Sequence, residues 1–580
     1  MAEILKAPGL NAASNRVILS RLALAASNAE DRSMTAAIMV RSILLAVVAL
    51  ICTAGAGHAQ ASACDPRAYG AADDRWTDNA TAIRNAIDAC TAQADEAAVT
   101  GPAAICDPRA YGAVNDGRTD NAAAIQNAIE ACAARGGGIV PVDGGGTYVT
   151  GPISLRSNVF LRIGDGTTLK NTTDHARYQP AFIGYPFQFR NDPAATGGGP
   201  SLPGLPEAMI SASGVENTGI IGTGTIDGSG ADPAAGPTPD NPDALSWWQL
   251  AANAKSAASA PGYTYPGYPD IPTSNGLPRP WLIEFYDASN VVVSGITVTN
   301  SPMWCLGLRY VKGAVVSGYT VRNPPDSPNT DGVDLVGAEN VMLVKLDIAT
   351  GDDNVAIKSG LPGVPSGAYY APPYNLPRTP TSNVVVADSA FGRGHGLSVG
   401  SETVNGIHRI WASDITFAGT DNGFRIKTGR DRGNQIDEMS IQNLTMTDVP
   451  TPLSISEYYP TIPSPSVPDI EQAITNEPFV HDIAVADVTA TNPRTVRPDA
   501  VTTGGLIIGV PESPIYNLTL DRIHISAAQP TYMRLRNLVD SSCSDVTITP
   551  LKEGAPNDGS TFDDEGGLRN APGCAAGSGQ

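Results

Sequence analysis

From Asn158 to the 540s the chain returns to one short pattern, and that pattern limits the folds open to it. An anchor residue is followed by apolar residues at +1, +3, +6 and +8. Asn340 gives Val341, Leu343, Leu346 and Ile348, Asn517 gives Leu518, Leu520, Ile523 and Ile525, and Glu438 gives Met439, Ile441, Leu444 and Met446. Asn383, Arg409 and Asp482 carry weaker versions. Anchors recur after 26 residues from Asn383 to Arg409, 29 from Arg409 to Glu438 and 28 from Asn517 to Asp545. The 43 residues from Asn340 to Asn383 include a Pro-rich insert, LPGVPSGAYYAPPYNLPRTP, at 361–380. Alternating apolar segments at a near-constant coil of roughly 22–28 residues predict an all-β solenoid, a parallel β-helix. A sandwich needs shorter spacing and hairpin turns, and Asn-Gly signals are few.

Composition agrees. The 580 residues carry 60 Gly and 47 Pro with only 16% charged side chains, which suits many short strands and turns better than helical bundles. A net charge of −21 argues against binding nucleic acid or an anionic membrane through the overall field, so a polyanionic partner must be held by a few local cations.

Residues 39–63, MVRSILLAVVALICTAGAGHAQASA, combine Arg41, an apolar core and small residues at Ala59 and Ala61. This is a signal-peptide pattern, too short to span a membrane comfortably, with cleavage expected near 59–63. Met34 or Met39 is the expected true start, and residues 1–61 are set aside as leader. The remaining expected units are a duplicated segment at 62–105, a solenoid at 106–550 and a loose tail at 551–580.

CDPRAYGAADDRWTDNATAIRNAIDAC (64–90) is repeated without gaps as CDPRAYGAVNDGRTDNAAAIQNAIEAC (106–132). In each, Thr-Asp-Asn precedes isoleucines at i, i+4, the signature of a short capped helix. Only the second copy runs on into strand-like sequence, so it is expected to cap the solenoid, with the first copy peripheral. The natural disulfide pairings are Cys64–Cys90 and Cys106–Cys132, with crossed pairings open. Cys543–Cys574 pins the tail and Cys305 is left over. No C-x-x-C spacing suggests zinc. Ahead of the 361–380 insert in the chain is another, the first of the two, at 229–280; it is rich in Pro, Ala, Gly and Tyr and includes SWW, and its aromatic residues either stack on sugar or pack the loop down.

Four motifs follow one another: SPNTDG (327–332), GDDNVAIKSG (351–360), GRGHGLSVGS (392–401) and FRIKTG (424–429). Asp331 and Asp352 are 21 residues apart, and His395 and Arg425 are 30 apart, each close to one coil. Asp331, Asp352, Asp353, His395 and Arg425 should therefore meet in one groove on neighbouring coils. Taken singly, Asp331 or His395 reads as a turn residue and Arg425–Lys427 as a solvated strand face. Order and spacing together are what point to chemistry.

These motifs, with TIDG and RPWLIEF…SNVVVSGITVTNSPMW, resemble those of the polygalacturonases, family 28 of the glycoside hydrolases, over most of residues 106–550. The resemblance implies a right-handed parallel β-helix and hydrolysis of pectin or polygalacturonate with inversion, with no cofactor or metal. It implies Asp352 as general acid, Asp331 and Asp353 as activators of the water, and His395 as tuner or holder of the acid. Arg425, Lys427 and Asn329 would bind substrate, with Tyr458 or Tyr459 lining the site. A secreted or periplasmic monomer is expected.

The residues support this independently. Glycosidic cleavage needs a protonated carboxyl at the leaving oxygen and a carboxylate behind a water. Crowded carboxylates keep one protonated at mildly acidic pH. Arg425 and Lys427, two apart, share a strand face and can grip a carboxylate, with Lys358 and Arg393 as further cations. Asp352 and Asp353 are neighbours, so both face the groove only if the chain bends, for which Gly351 is the expected hinge. The alternatives are a pectate-lyase-type elimination and a non-catalytic polysaccharide-binding β-helix.

Overall fold

The computed structural model describes residues 66–69, parts of 81–89, and 104–178, 208–237, 241–258, 279–360, 379–430, 432–464, 469–472, 477–492, 504–528, 532–551 and 561–574. The signal-peptide pattern, the Cys64–Cys90 pair, residues 259–278 of the first insert and residues 361–378 of the second lie outside them.

Two long sheets, one of 21 strands and one of 12, are built from parallel pairings between successive coils. This is a right-handed parallel β-helix, the handedness favoured for parallel crossovers. Five strands of the 12-stranded sheet matter for function: β1 (Val333–Val336), β2 (Val355–Lys358), β3 (Leu397–Gly400), β4 (Asn422–Lys427) and β5 (Thr451–Ser456), each paired with the next.

The anchors have a physical identity. Asn340, Asn383, Arg409, Glu438, Asp482, Asn517 and Asp545 all adopt a left-handed backbone conformation, with φ between 50° and 59°. Asn and Asp tolerate that conformation best, which explains their prevalence. Stacked anchors also bond between coils. Asn383 donates to Asn340 (2.9 Å), and Arg409 donates to Asn383 (2.7 Å) and Glu438 (3.0 Å). The apolar residues after each anchor are buried in one continuous core. They line the interior of the coil because the left-handed residue turns the chain before each alternating strand.

Helix α1 (Ala122–Ala133) buries Ile125, Ile129 and Cys132 against the first strands. Asp120, not the Asn121 side chain, accepts the first free amide, from Ala122 at 2.9 Å. The earlier copy lies elsewhere: its Ala86 is buried in a cluster with Val292, Val315, Met342, Val385 and Trp411. Those five residues form a register column on the outer wall of the larger sheet. Disulfides join Cys106 to Cys132 and Cys543 to Cys574, and Cys305 is a buried free thiol. Past Pro550 the chain returns once more, as Phe562–Asp564 pairs with Met533–Arg536.

The first insert holds helix α2 (Trp247–Ala258). Its tryptophans pack inward. The Trp248 indole donates to Ser301 O (2.8 Å), and Trp247 stacks on His175 with ring centroids 3.7 Å apart. Among the described residues no helix is long and apolar enough to cross a membrane.

Candidate active site

The functional side chains gather where the chain enters β1, β2 and β3. Val333, Val355 and Leu397 are register partners, and Asp331, Asp353 and His395 each stand two residues before one of them. Equal offsets on stacked coils bring together residues up to 64 positions apart in the chain. On the strands themselves, Asp334, Ala356, Ser398 and Arg425 form one outward column.

Asp352, Asp353 and His395 bring carboxylate and imidazole atoms within 4.8 Å of one another. His395 Nδ1 lies 3.0 Å from Asp352 and 3.8 Å from Asp353, and its Nε2 lies 3.6 Å from Asp421. Gly351 acts by close approach: a Cβ there would sit 1.9 Å from Ser327 O. Gly396, beside His395, has φ +78°, and a Cβ there would meet Asn422 O at 2.2 Å.

Asp353 is buried and fully engaged. It accepts from Ser398 (2.8 Å), Arg425 (2.5 Å) and Lys427 (2.7 Å). Burial pushes its carboxyl up, but Lys427 and Arg425 outweigh that and hold it far below the usual carboxylate range. The carboxylate that Arg425 and Lys427 grip is thus the protein's own, which the two-residue spacing alone did not reveal.

Asp331 is also buried, and its Oδ1 has no protein partner among the described residues. Burial, then the charges of Asp352 and Asp334, raise its carboxyl well above the usual range. Lys358 is its counterion at 3.8 Å, but the lysine sits closer to Asp334 (2.7 Å) and over the Trp304 ring (4.0 Å). Buried and committed there, Lys358 is not the free groove cation that its sequence position suggested. Arg393 is exposed.

Asp352 is the most open of the three aspartates, with 24% side-chain exposure against 4% for Asp331 and 1% for Asp353. Burial raises its carboxyl, yet the His395 hydrogen bond and charge prevail and lower it. The same bond raises His395 despite the imidazole's burial. Crowding therefore lifts Asp331 rather than Asp352, and the Asp352–His395 pair holds its proton on the imidazole side. Asp352, His395 and Asn329 line a cavity of about 700 Å³, with Trp248 and Lys255 of α2 on its wall.

The two tyrosines part company. The Tyr458 hydroxyl donates to Asp469 (2.5 Å) and Gly509 O (3.1 Å). Tyr459 is 36% exposed, with Lys427 Nζ 5.9 Å from its ring centre and Arg432 5.1 Å from it. Tyr459 is the one beside the cluster. Sequence reasoning missed Ser398, Asp421 and Arg279. Ser398 was findable as the outward residue of GHGLSVG. Arg279 opens the RPWLIEF segment, but its place beside the aspartates comes from coil stacking, and Asp421 carries no local signal.

Four ordered motifs, stacked on one sheet around an aspartate trio, agree with the sequence comparisons. A family model described as glycosyl hydrolases family 28 matches residues 161–544. The chain belongs to that family. It is a hydrolase of glycosyl bonds. This family 28 chain is 30% identical over 322 residues to an endo-polygalacturonase of Pectobacterium carotovorum subsp. carotovorum, covering 56% of this chain and 68% of the relative. It is 27% identical over 456 residues to a polygalacturonase of Ralstonia solanacearum, covering 69% and 76%. Among solved structures, the polygalacturonase of Erwinia carotovora ssp. carotovora superposes with a TM-score of 0.54 at 24% identity, over 78% of this chain and 98% of that one. The family 28 exopolygalacturonase of Yersinia enterocolitica superposes with a TM-score of 0.61 at 21% identity, over 81% and 78%. These two likenesses bear on fold.

Proposed function

We propose that this chain is a polygalacturonase that cleaves α-1,4-galacturonosyl linkages of pectin or polygalacturonate with inversion, after export from the cell. The observation that carries the reading is the division of labour among three aspartates. Asp352 opens into the cavity against His395, while Asp353 is clamped as a carboxylate by Arg425 and Lys427.

Asp352 is the proton donor because it alone of the three lines the cavity, and reach comes before pKa in choosing an acid. The pair it forms with His395 binds that proton, and the reactive form carries it on Asp352 Oδ2 with the imidazole neutral and its Nδ1 still facing Oδ1. Asp331 Oδ1, buried without a protein partner, is the acceptor available to an attacking water, beside Asp353. Asp331 and Asp352 titrate together. Burial first, and then the charge of Asp352, raise Asp331; protonating Asp352 removes the second of these and so favours a reactive state with the proton on Asp352 and the charge on Asp331. Arg425, Lys427 and Tyr459 are the groups that would receive a galacturonate carboxylate, and Asn329 would contact the substrate from the cavity wall. The relatives named as polygalacturonases support the substrate class.

Digesting polygalacturonate tests this. Saturated reducing ends, with the first product released as the inverted anomer by NMR, are expected. Ultraviolet-absorbing unsaturated ends would replace the hydrolase with a lyase, and binding without turnover would leave a carbohydrate-binding β-helix. Sequencing the N-terminus of exported protein, expected near residues 59–63, tests the location.

A further inference from the structure

Arg279 lies at the end of the 229–280 insert and opens the RPWLIEF segment, to which the sequence reading gave no chemical role. It is fully buried, and its guanidinium is used in an ordered way. Nη1 donates to Pro302 O (2.9 Å) and Pro328 O (2.7 Å), and Nη2 donates to the Asn329 side-chain oxygen at 2.9 Å. Arginine carries donors and no acceptor. The Asn329 atom facing Nη2 is therefore its oxygen, so its NH2 group must point the other way. That group lies 3.3 Å from Asp352 Oδ2.

The two oxygens of Asp352 are consequently unlike. Oδ1 accepts the Asp353 amide at 2.9 Å and faces His395 at 3.0 Å. Among the described residues Oδ2 has only the long contact from Asn329, which leaves it placed to carry the transferable proton. When that proton leaves, negative charge grows on Oδ2, and the contact strengthens as the barrier is crossed. A donor fixed in advance where charge develops is the most effective kind of electrostatic catalysis. An Asn amide free to flip would present its oxygen to Asp352 instead, and would oppose ionisation.

We propose that Arg279 is a positioning residue for this reaction, locking the Asn329 amide so that its NH2 group faces the departing-proton oxygen of Asp352. The inference rests on Asp352 as general acid. Besides His395 and Asp353, Lys427, Asp331 and Arg279 itself face this carboxyl electrostatically. Burial lowers the Arg279 guanidinium to about 9, so it remains charged at mildly acidic pH.

The test compares Arg279→Met, Arg279→Lys, Asn329→Ala and the Arg279→Met/Asn329→Ala double variant in the full chain, with Asp352→Asn as reference. Turnover is read on polygalacturonate and on an aryl galacturonide whose good leaving group needs little acid assistance. Arg279→Met should lower kcat by about 10- to 100-fold with KM changed less than about threefold, within the range for one catalytic hydrogen bond. The basic limb of the kcat profile should move to higher pH, because losing a donor and a positive charge makes Asp352 hold its proton more tightly. The double variant should be no worse than the poorer single one, since both break one relay. Arg279→Lys should recover part of kcat, and it stands in if Arg279→Met does not fold. Like Asp352→Asn, the Arg279 variants should lose much less on the aryl substrate. Multiplying losses, or an unmoved limb, overturns the relay. If Asp352→Asn loses equally on both substrates, the acid assignment itself falls. If Asp352→Asn depends on the leaving group and the Arg279 variants do not, only the positioning role falls.

Discussion

Lys427 Nζ lies 2.7 Å from Asp353 Oδ2, across two strand pairings and 74 residues of chain. With Arg425 on the other oxygen, it ties the Asp353 carboxylate into one network with both cations. Lys427→Met should therefore act on Asp353 as well as on substrate. Asp353 is held low in the intact protein, so its ionised form persists into acid. Removing Lys427 raises it, and the acidic limb of kcat/KM should shift to higher pH, with about a 100-fold loss near the optimum. A pH–rate series over roughly pH 3 to 7 checks this. A rise in KM alone, with the limb in place, would assign Lys427 to substrate only.

Asp352→Asn keeps the shape of the cavity wall and removes the proton. Turnover on polygalacturonate should fall by about 10³- to 10⁴-fold, with affinity for oligogalacturonate nearly unchanged. Reducing-end assays paired with calorimetric binding measure the two separately. Turnover within about tenfold of the parent would reduce Asp352 to a wall residue.

His395→Asn removes the ring nitrogen that faces Asp352. In the intact pair the imidazole is raised above its ordinary value, so the shared proton stays bound to higher pH than a lone carboxyl would allow. Without it, the basic limb of kcat should retreat toward the carboxylate range, with about a 10- to 100-fold loss. The same pH series on the variant is the measurement.

His175 is buried beneath Trp247 and is lowered to about 4 by that burial. Its pKa is lower folded than unfolded, so it adds stability above about pH 6.5 that is lost as pH falls toward about 4. The loss should be on the order of 2 kcal/mol after solvent screening. Thermal unfolding of the parent and of His175→Phe across that interval should converge at neutral pH and diverge in acid, with the parent the weaker. Parallel curves would exclude the histidine as the source.

Helix α2 walls the cavity and is pinned there by the Trp248 indole on Ser301. Trp248→Ala should loosen that wall and lengthen the earliest products of polygalacturonate digestion, while leaving turnover within about tenfold. A product-size time course reads this directly. An unchanged size distribution would mean that the helix borders the cavity without limiting the bound chain.

The coil repeat was legible because its cause is local. A left-handed anchor followed by alternating apolar residues states where each strand begins and which face it buries, as at Asn340, Glu438 and Asn517. Asp331, Asp352, Asp353 and His395 were legible from motif order, one-coil spacing and the family resemblance, whereas the shared two-residue offset of Asp331, Asp353 and His395 from β1, β2 and β3 emerges only in the folded chain. Less local features were not legible. The helix in the first insert sits in a segment read only for its composition and aromatic residues, and the docking of Ala86 on the outer wall depends on a surface made by five separate coils.

The sequence by itself determined the solenoid, the order of the motifs and which carboxylates cluster on neighbouring coils, since all of these follow from short patterns repeated at one coil length. Only the tertiary structure decided which partners each group meets there. It turned Arg425 and Lys427 onto Asp353, buried Lys358 against Asp334, chose Tyr459 over Tyr458, and set Arg279 behind Asn329. The reason is that partner choice and burial are set between coils, by side chains that are neighbours in space and strangers in sequence, and no local pattern encodes that distance.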